Sequence, residues 1–430
     1  MTSCKSYIAS KLRQDDVKFL AFFKKLAYLR LLRRKNRRLI YILTSKLGKI
    51  LFIKSLVEVM VLSPPLGLSP RLRGTPFTRR VEEAGVSSYT VYNHMLLPTS
   101  FESLEADYTH LKNAVQVWDV SCERQIEITG TDADWLVQML TPRDLSSIRI
   151  GKCYYVPMVD ESGGMLNDPV LLKIEEDRYW FSIADSDLIY WIKGLAYGLK
   201  LDVKIREPDV SPLAIQGPKS DDLMAKIVGD EIRDLPFFNF KRFNFNSLDL
   251  LIARSGYSKQ TGFEIYVEDF KLGETIWDTL FEAGANFDVR AGCPNLIERI
   301  EAGLLSYGND MTNEHTPHQS GLSKFCDTKK AIKCVGRDAL LDEISTGPWR
   351  QIRFLEISGK PLSPCRNSWE IRNNNVSVGK VTSAVWSPDF QTNVAIGMIH
   401  KDHWEPGTLL KVETSDGPRD LLIRQGPLVE

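Results

Sequence analysis

SGYSKQTGFEIYV, residues 255–267, has a second half that alternates. Phe263, Ile265 and Val267 are apolar, and Glu264 and Tyr266 stand between them. A strand has a side-chain period of two, so the three apolar residues face a core while Glu264 and Tyr266 point together to the other side. Gly256 and Gly262 bracket a polar turn, Ser258 to Thr261, and Leu248 to Ala253 supplies an apolar strand ahead of it. The stretch therefore predicts a hairpin that presents a carboxylate beside a phenol. A carboxylate only accepts, and it can take two parallel N–H bonds. A flat heterocycle with an N–H next to an amino group has the complementary edge. A sheet with one wet face is the other reading of the same pattern.

Upstream, YYVPMVDESGGMLNDPVLLKI, residues 154–174, places the turn residues Asp160 to Gly164 between two apolar runs, which predicts a second hairpin. Asn167 and Asp168 interrupt its return strand, followed by Pro169, which suits an edge or a bulge. An acid there either faces solvent or is held at a site. Downstream, CPNLIERIEAGLLSYGND, from Cys293, has the clearest helical spacing. Leu296, Ile297, Ile300, Leu304 and Leu305 form one stripe, with Pro294 in the first turn and Gly308 as the stop. Glu298, Arg299 and Glu301 fall off that stripe and read as a solvated face. After Gln351, short strands at Ile352–Ile357, Val376–Val381, Val394–Ile399, Leu409–Glu413 and Leu421–Ile423 predict a small antiparallel barrel.

The 430 residues suffice for two or three domains, and 26% charged residues with 43% hydrophobic ones are ordinary for a globular protein. Residues 1–60 carry 15 Lys and Arg against 3 Asp and Glu, so the rest is mildly acidic and has no general basic field for nucleic acid. Lys46, Lys49 and Lys54 break the apolar runs of that extension, so it is no membrane span. It reads as a basic amphipathic helix, as a transit sequence (against which Asp15 and Asp16 count), or as a segment upstream of the natural start at Met60. The last is preferred, so residues 1–60 are expected to lie outside the fold. Residues 61–76 are a Pro/Gly linker and 346–430 the barrel, with 77–345 between them. Seven cysteines lack a CxxC pair, which argues against a disulfide framework or a zinc site and for a reducing, cytoplasmic setting. Cys293 and the pair His315 and His318 read as structural. No P-loop, GxGxxG after a strand, HExxH or GxSxG occurs.

AVQVWDVSCERQIEITG, GGMLNDPV, RSGYSKQTGFEIYV, ERIEAGLLSYGNDM and VTSAVWSPDFQTNVAIGMI occur in this order. Together they resemble the glycine-cleavage T-protein (aminomethyltransferase) family across about residues 72 to 430. CYYVPMVDESGGMLNDPV, SKQTGFEIYV and RAGCPNLIERIEAGLLSYGNDMT look closer to the branch of that family that demethylates dimethylsulfoniopropionate. The aminomethyltransferase pattern usually has two acids at the Asn167–Asp168 position. The demethylase pattern usually has Trp at the position of Tyr257.

The resemblance implies an α+β fold of three domains in a cloverleaf, with tetrahydrofolate at its centre. It implies that residues 77–345 are the folate-binding region, with two intertwined subdomains. It implies transfer of a methyl group from a sulfonium sulfur to the folate N5, yielding 5-methyltetrahydrofolate and 3-(methylthio)propionate. Carried over residue by residue, Glu264 clamps the pterin edge, Tyr266 borders it, and Asp168 lies near N5. Tyr155, Phe238 and Tyr257 stack on the folate rings. Tyr92 and Trp118 face the sulfonium, and Arg124 holds the substrate carboxylate. The expected partners are the sulfonium substrate, tetrahydrofolate and a second copy of the chain, with no metal. Alternatives are a true aminomethyltransferase, which needs a lipoyl carrier protein, a demethylase for another methylated donor, and a non-enzymatic folate-binding regulator.

Overall fold

The computed structural model describes residues 69–330 and 332–429, so the extension at residues 1–60 lies outside the described residues. The described chain builds three hydrophobic cores, two under sheets and one inside a barrel. The first sheet has six strands in the order Phe240–Phe245, Leu248–Ala253, Gly262–Val267, Ser211–Gln216, Val115–Asp119 and Val289–Gly292. All neighbours are antiparallel except the last pair. Phe263, Ile265 and Val267 enter a core shared with the helices Thr78–Glu83, Ser220–Val228 and Gly273–Ala283. Tyr266 lies in a different cluster, on the opposite face. The predicted alternation holds, but neither face is wet: all six residues of Gly262–Val267 are buried.

A second sheet provides the cover. It runs Lys204–Arg206, Gln125–Thr129, Arg178–Ser182, Val170–Glu175 and Cys153–Tyr155, and the helices Ala133–Met139 and Leu188–Leu199 pack on its outer side. Leu172 and Trp180 from this sheet meet Leu251, Ala253 and Tyr266 from the first. The sheets are also stitched along one edge. Cys153 N–H donates to the Phe238 carbonyl at 2.7 Å, and Phe240 N–H to the Gly151 carbonyl at 2.8 Å.

The hairpin at 154–174 bends between these layers. Cys153–Tyr155 pairs with Val170–Glu175, whereas Met158–Val159 pairs with Met165–Asn167 in a separate two-stranded ladder. Pro157 and Pro169 occupy the break, where a missing N–H costs no ladder bond. Asp168 sits in that break.

The C-terminal strands close into a six-stranded barrel. Its strands are Arg350–Ile357, Trp369–Asn373, Val376–Ser387, Thr392–His400, Leu409–Thr414 and Gly417–Ile423. Trp369–Asn373 has no counterpart among the expected strands, because Asn373 to Asn375 ends it with turn residues and its alternation is short.

Three expectations need correction. Gly74 to Pro76 is not free linker: Thr75 Oγ1 donates to Asp119 at 2.5 Å, and Pro76 lies against Gly273, where a Cβ would come within 2.3 Å of it. The helix from Pro294 is also shorter than its spacing suggests, spanning Leu296–Glu301. Gly303, at φ +69°, turns the chain where a side chain would strike Phe354. Its charges are not a solvated face either. Glu298, Arg299 and Glu301 are 3%, 7% and 1% exposed. Arg299 bonds Asp310 at 2.9 Å and Ser383 at 2.7 Å, while Glu301 accepts from Tyr108 at 2.9 Å and from Ser387 at 2.5 Å. These bonds fasten the barrel to the rest of the body. Removing one partner leaves the other charge buried alone. Arg299→Met is therefore expected to cost about 3–5 kcal/mol, read as a lower midpoint in urea unfolding with an unchanged slope.

Candidate active site

Three acids point to one place from three different elements. Glu264 is on the Gly262–Val267 strand, next to Ala214 and Ala253 on the neighbouring strands. The turn before it is wrapped on the Gln216 amide. Gln216 Nε2 donates to the Ser255 carbonyl at 3.0 Å, and its Oε1 accepts from Ser258 Oγ at 2.7 Å. A Cβ at Gly256 or Gly262 would fall 2.1 or 2.3 Å from that amide, so the turn needs both glycines. Glu264 accepts a hydrogen bond from the Ser255 hydroxyl. Burial pushes its carboxyl above the usual range.

Asp168 is held at the hairpin break by its neighbour. Asn167 is fully buried; its Nδ2 donates to the Ala184 carbonyl at 3.0 Å and to Ser186 Oγ at 2.8 Å, while its Oδ1 accepts from Ala184 N–H at 3.0 Å. An acid could not make the two donations, so the amide at this position has a structural reason. Asp168 Oδ2 accepts from the Tyr155 hydroxyl at 2.7 Å. Burial, with Asp310 adding to it, raises the Asp168 carboxyl to about 7 despite that bond.

Glu123 is the acid that the sequence reading passed over. It lies between the Val115–Asp119 and Gln125–Thr129 strands. Its carboxyl is pushed well above the usual range by burial first, then by Glu264 and Asp168. The phenols of Tyr92 and Tyr257 feel the same charges: both are raised by burial, and Glu123 and Asp168 act on each. Tyr257 donates to the Leu305 carbonyl at 2.6 Å. Tyr92, Glu123, Tyr155, Asp168 and Tyr257 are each half-buried, so they keep faces open. The sequence did hold a signal for Glu123. In CERQ, Arg124 and Glu123 must diverge, and only one of them can turn inward.

Of the other expected site residues, Tyr266 is within reach of the acids, its phenol raised by burial first and then by Glu264 and Glu123, and the rest lie elsewhere. Tyr266 is 1% exposed and packs on Trp180 with ring centroids 6.1 Å apart, so it supports the Glu264 strand from the inter-sheet core. Trp118 is fully buried with its Nε1–H bonded to Gln116 at 2.8 Å, and it offers no ring face to a sulfonium. Arg124 is drawn away by Glu207, which it meets through Nε at 3.0 Å and again through Nη2. Phe238 is half-buried at the stitched edge with φ +60°, an uncommon conformation for a bulky residue, and packs beside the Tyr266 cluster. Cys293 is buried with its thiol raised by burial, which is not the setting of a nucleophile. Among the described residues no three His, Cys, Asp or Glu are grouped to hold a metal ion. No described helix is long and apolar enough to cross a membrane.

Buried acceptors beside open aromatic faces fit a flat, N–H-rich heterocycle such as the pterin of a folate. Comparison with known proteins gives the class. Residues 77–330 match the GCVT N-terminal domain and residues 350–430 the glycine cleavage T-protein C-terminal barrel domain. The chain belongs to the glycine-cleavage T-protein family, whose members are tetrahydrofolate-dependent one-carbon transferases. Within it, the chain is 54% identical to the dimethylsulfoniopropionate demethylase of Ruegeria pomeroyi over 358 residues, covering 83% of this chain and 98% of the relative. It is 27% identical to an aminomethyltransferase of Thermoanaerobacter pseudethanolicus, over 76% of this chain and 89% of that one. The glycine cleavage system aminomethyltransferase T of Bartonella henselae has the same fold, with TM-score 0.74 at 24% identity, covering 84% of this chain and 98% of that structure.

The raised Asp168 carboxyl has a signed consequence for stability. The folded protein keeps this proton to about pH 7, whereas an unfolded chain loses it near pH 4. Between those values the unfolded state releases a proton that the folded state retains, so the carboxyl lowers stability as pH rises from about 4 to about 7. Asp168→Asn removes that loss. The variant should match the wild type near pH 4 and exceed it at pH 8 by a few kcal/mol, on the order of 1.4 kcal/mol per pKa unit, in denaturant titrations at the two pH values.

Proposed function

We propose that this chain demethylates dimethylsulfoniopropionate, passing one methyl group to tetrahydrofolate. The carrying observation is the sign of the site. Three carboxyls and the half-buried phenols of Tyr92, Tyr155 and Tyr257 lie within electrostatic reach of one another. Arg124 and Arg299 are already engaged by carboxylates, Arg124 by Glu207 and Arg299 by Asp310, and Arg143 by the Tyr155 carbonyl. Acidic groups and aromatic faces attract a cationic donor. The likeness to the Ruegeria pomeroyi demethylase over nearly its whole length supports the same reading.

Bound tetrahydrofolate supplies the N5 nucleophile, which takes the methyl as the carbon–sulfur bond breaks. The protein's task is to align and desolvate, since holding reactants in line contributes about 7–11 kcal/mol. Glu264 fixes orientation by accepting N–H groups from a rigid strand. Tyr155 occupies Asp168 Oδ2 and leaves Oδ1 for the proton that methylation displaces, and a carboxyl near 7 is matched to taking it up at neutral pH. The sulfur leaves as a neutral thioether, so no acid is needed on its side. An aminomethyl donor would have to expel an amine, for which a second acid is useful; at that position stands Asn167, committed to Ala184 and Ser186. A cytoplasmic setting agrees with the free cysteines of the described residues.

The test is purified protein with tetrahydrofolate and each donor in turn, with products identified by mass spectrometry. The expected products from dimethylsulfoniopropionate are 5-methyltetrahydrofolate and 3-(methylthio)propionate. Ammonia and methylenetetrahydrofolate from an aminomethylated lipoyl carrier, with no reaction of the sulfonium, would assign the chain to aminomethyl transfer instead. Glu264→Gln keeps the shape but removes a charge-assisted bond worth about 1.5–3 kcal/mol. Its folate dissociation constant by calorimetry should rise about 10- to 100-fold with the melting temperature unchanged.

A further inference from the structure

Glu123 is the pocket acid for which the protein supplies no answering group. Asp168 receives the Tyr155 hydroxyl and Glu264 the Ser255 hydroxyl. Among the described residues, the Glu123 carboxyl receives no hydrogen bond at all. It is not sealed away: the side chain is half-buried, and neither oxygen is among the enclosed polar atoms that lack a partner. Its backbone is fixed on both sides. Glu123 N–H donates to the Val120 carbonyl at 2.9 Å, and Gln125 Nε2 donates to the Glu123 carbonyl at 2.8 Å. Next in sequence, Arg124 is turned to Glu207 and cannot fold back to neutralise its neighbour. A carboxyl in such a place needs a proton or a cation, because an isolated buried charge is expensive.

We infer that Glu123 is the counter-ion that selects a positively charged methyl donor over a neutral one of the same shape. The inference rests on the methyl-transfer reading above and adds the determinant of donor charge. Asp168 and Glu264 are poor candidates, because each is already oriented by a hydroxyl as an acceptor for directional N–H bonds. A sulfonium has no N–H to offer. It presents a diffuse positive charge on carbon and sulfur, which asks only for a nearby anion and aromatic faces. Glu123 provides the first and Tyr92 and Tyr257 the second, since both phenols lie within its electrostatic reach. The alternative is that Glu123 stays protonated as a space-filling acid with no ligand.

Two ligands separate these cases by calorimetry in the absence of folate: 3-(trimethylammonio)propionate, which is cationic at the sulfur position with no N–H, and 4,4-dimethylpentanoate, its neutral carbon isostere. Wild-type protein should prefer the cation by on the order of tenfold or more. Glu123→Gln should bring the two within about threefold and raise KM for dimethylsulfoniopropionate by a similar factor to the lost preference. Its folate dissociation constant should not change, and Glu123→Asp should recover part of the preference. A wild type without preference overturns the inference before any variant is made, which covers the case of a variant that does not fold. A Glu123→Gln protein that keeps the preference overturns it too, as does one whose folate affinity falls in step. If wild type prefers the cation yet transfers no methyl from dimethylsulfoniopropionate, the functional reading fails and the charge-selecting role of Glu123 stands.

Discussion

Burying a carboxylate without company is among the costliest things a protein can do, and six buried or half-buried acids show how this fold handles it. Glu301 and Asp310 are satisfied from within, and Glu298 is satisfied at one of its two oxygens. Glu301 has Tyr108 and Ser387, Asp310 has Arg299, Thr382 and Ser383, and Glu298 accepts the Lys259 N–H at 2.6 Å. Those bonds cross between elements far apart in sequence, so they act as fasteners. Glu264 and Asp168 have one hydroxyl partner each, and Glu123 has none among the described residues. Acids of the first kind hold the body and barrel together; those of the second leave the centre of the molecule in need of a ligand.

The backbone that creates the second group is equally specific. The hairpin carrying Asp168 leaves one ladder and joins another, and two prolines and the Asn167 amide fix the crossing. The strand carrying Glu264 is continuous, but the turn before it closes on a buried amide that tolerates only glycine at two positions. One acid therefore stands on a rigid sheet and another at an interruption, so the pocket has a fixed wall and a shaped corner.

How much of this could be read from the sequence follows from range. The Phe263–Val267 alternation is local, and so are the turn at Asp160–Gly164 and the strand rhythm of the barrel; each is visible within a few residues. The charges of Glu298, Arg299 and Glu301 look solvated locally because their partners, Asp310, Ser383, Tyr108 and Ser387, arrive from distant segments. Trp118 is an aromatic in a suggestive motif, yet Gly292, on a parallel strand, brings the chain against its indole. Glu123 was hidden by its neighbour. A cation beside an anion invites attention as a carboxylate binder, and only the position of Glu207 shows that the arginine is already occupied.

The grouping of Glu264, Asp168 and Glu123 also gives the site the character of a weak-acid ion-exchange resin. With Asp168 raised to about 7 and Glu123 and Glu264 shifted in the same direction by burial, these acids hold protons more firmly than free carboxyls do. A cation that enters competes with the protons these carboxyls would otherwise take up. Occupancy is then a competition between substrate and hydronium, so apparent affinity falls in acid without any change of shape. The phenols of Tyr92 and Tyr257, themselves raised, stay neutral throughout and take no part in the exchange. The same acidity that suits a cationic donor thus ties the filling of the site to the proton concentration of the solution around it.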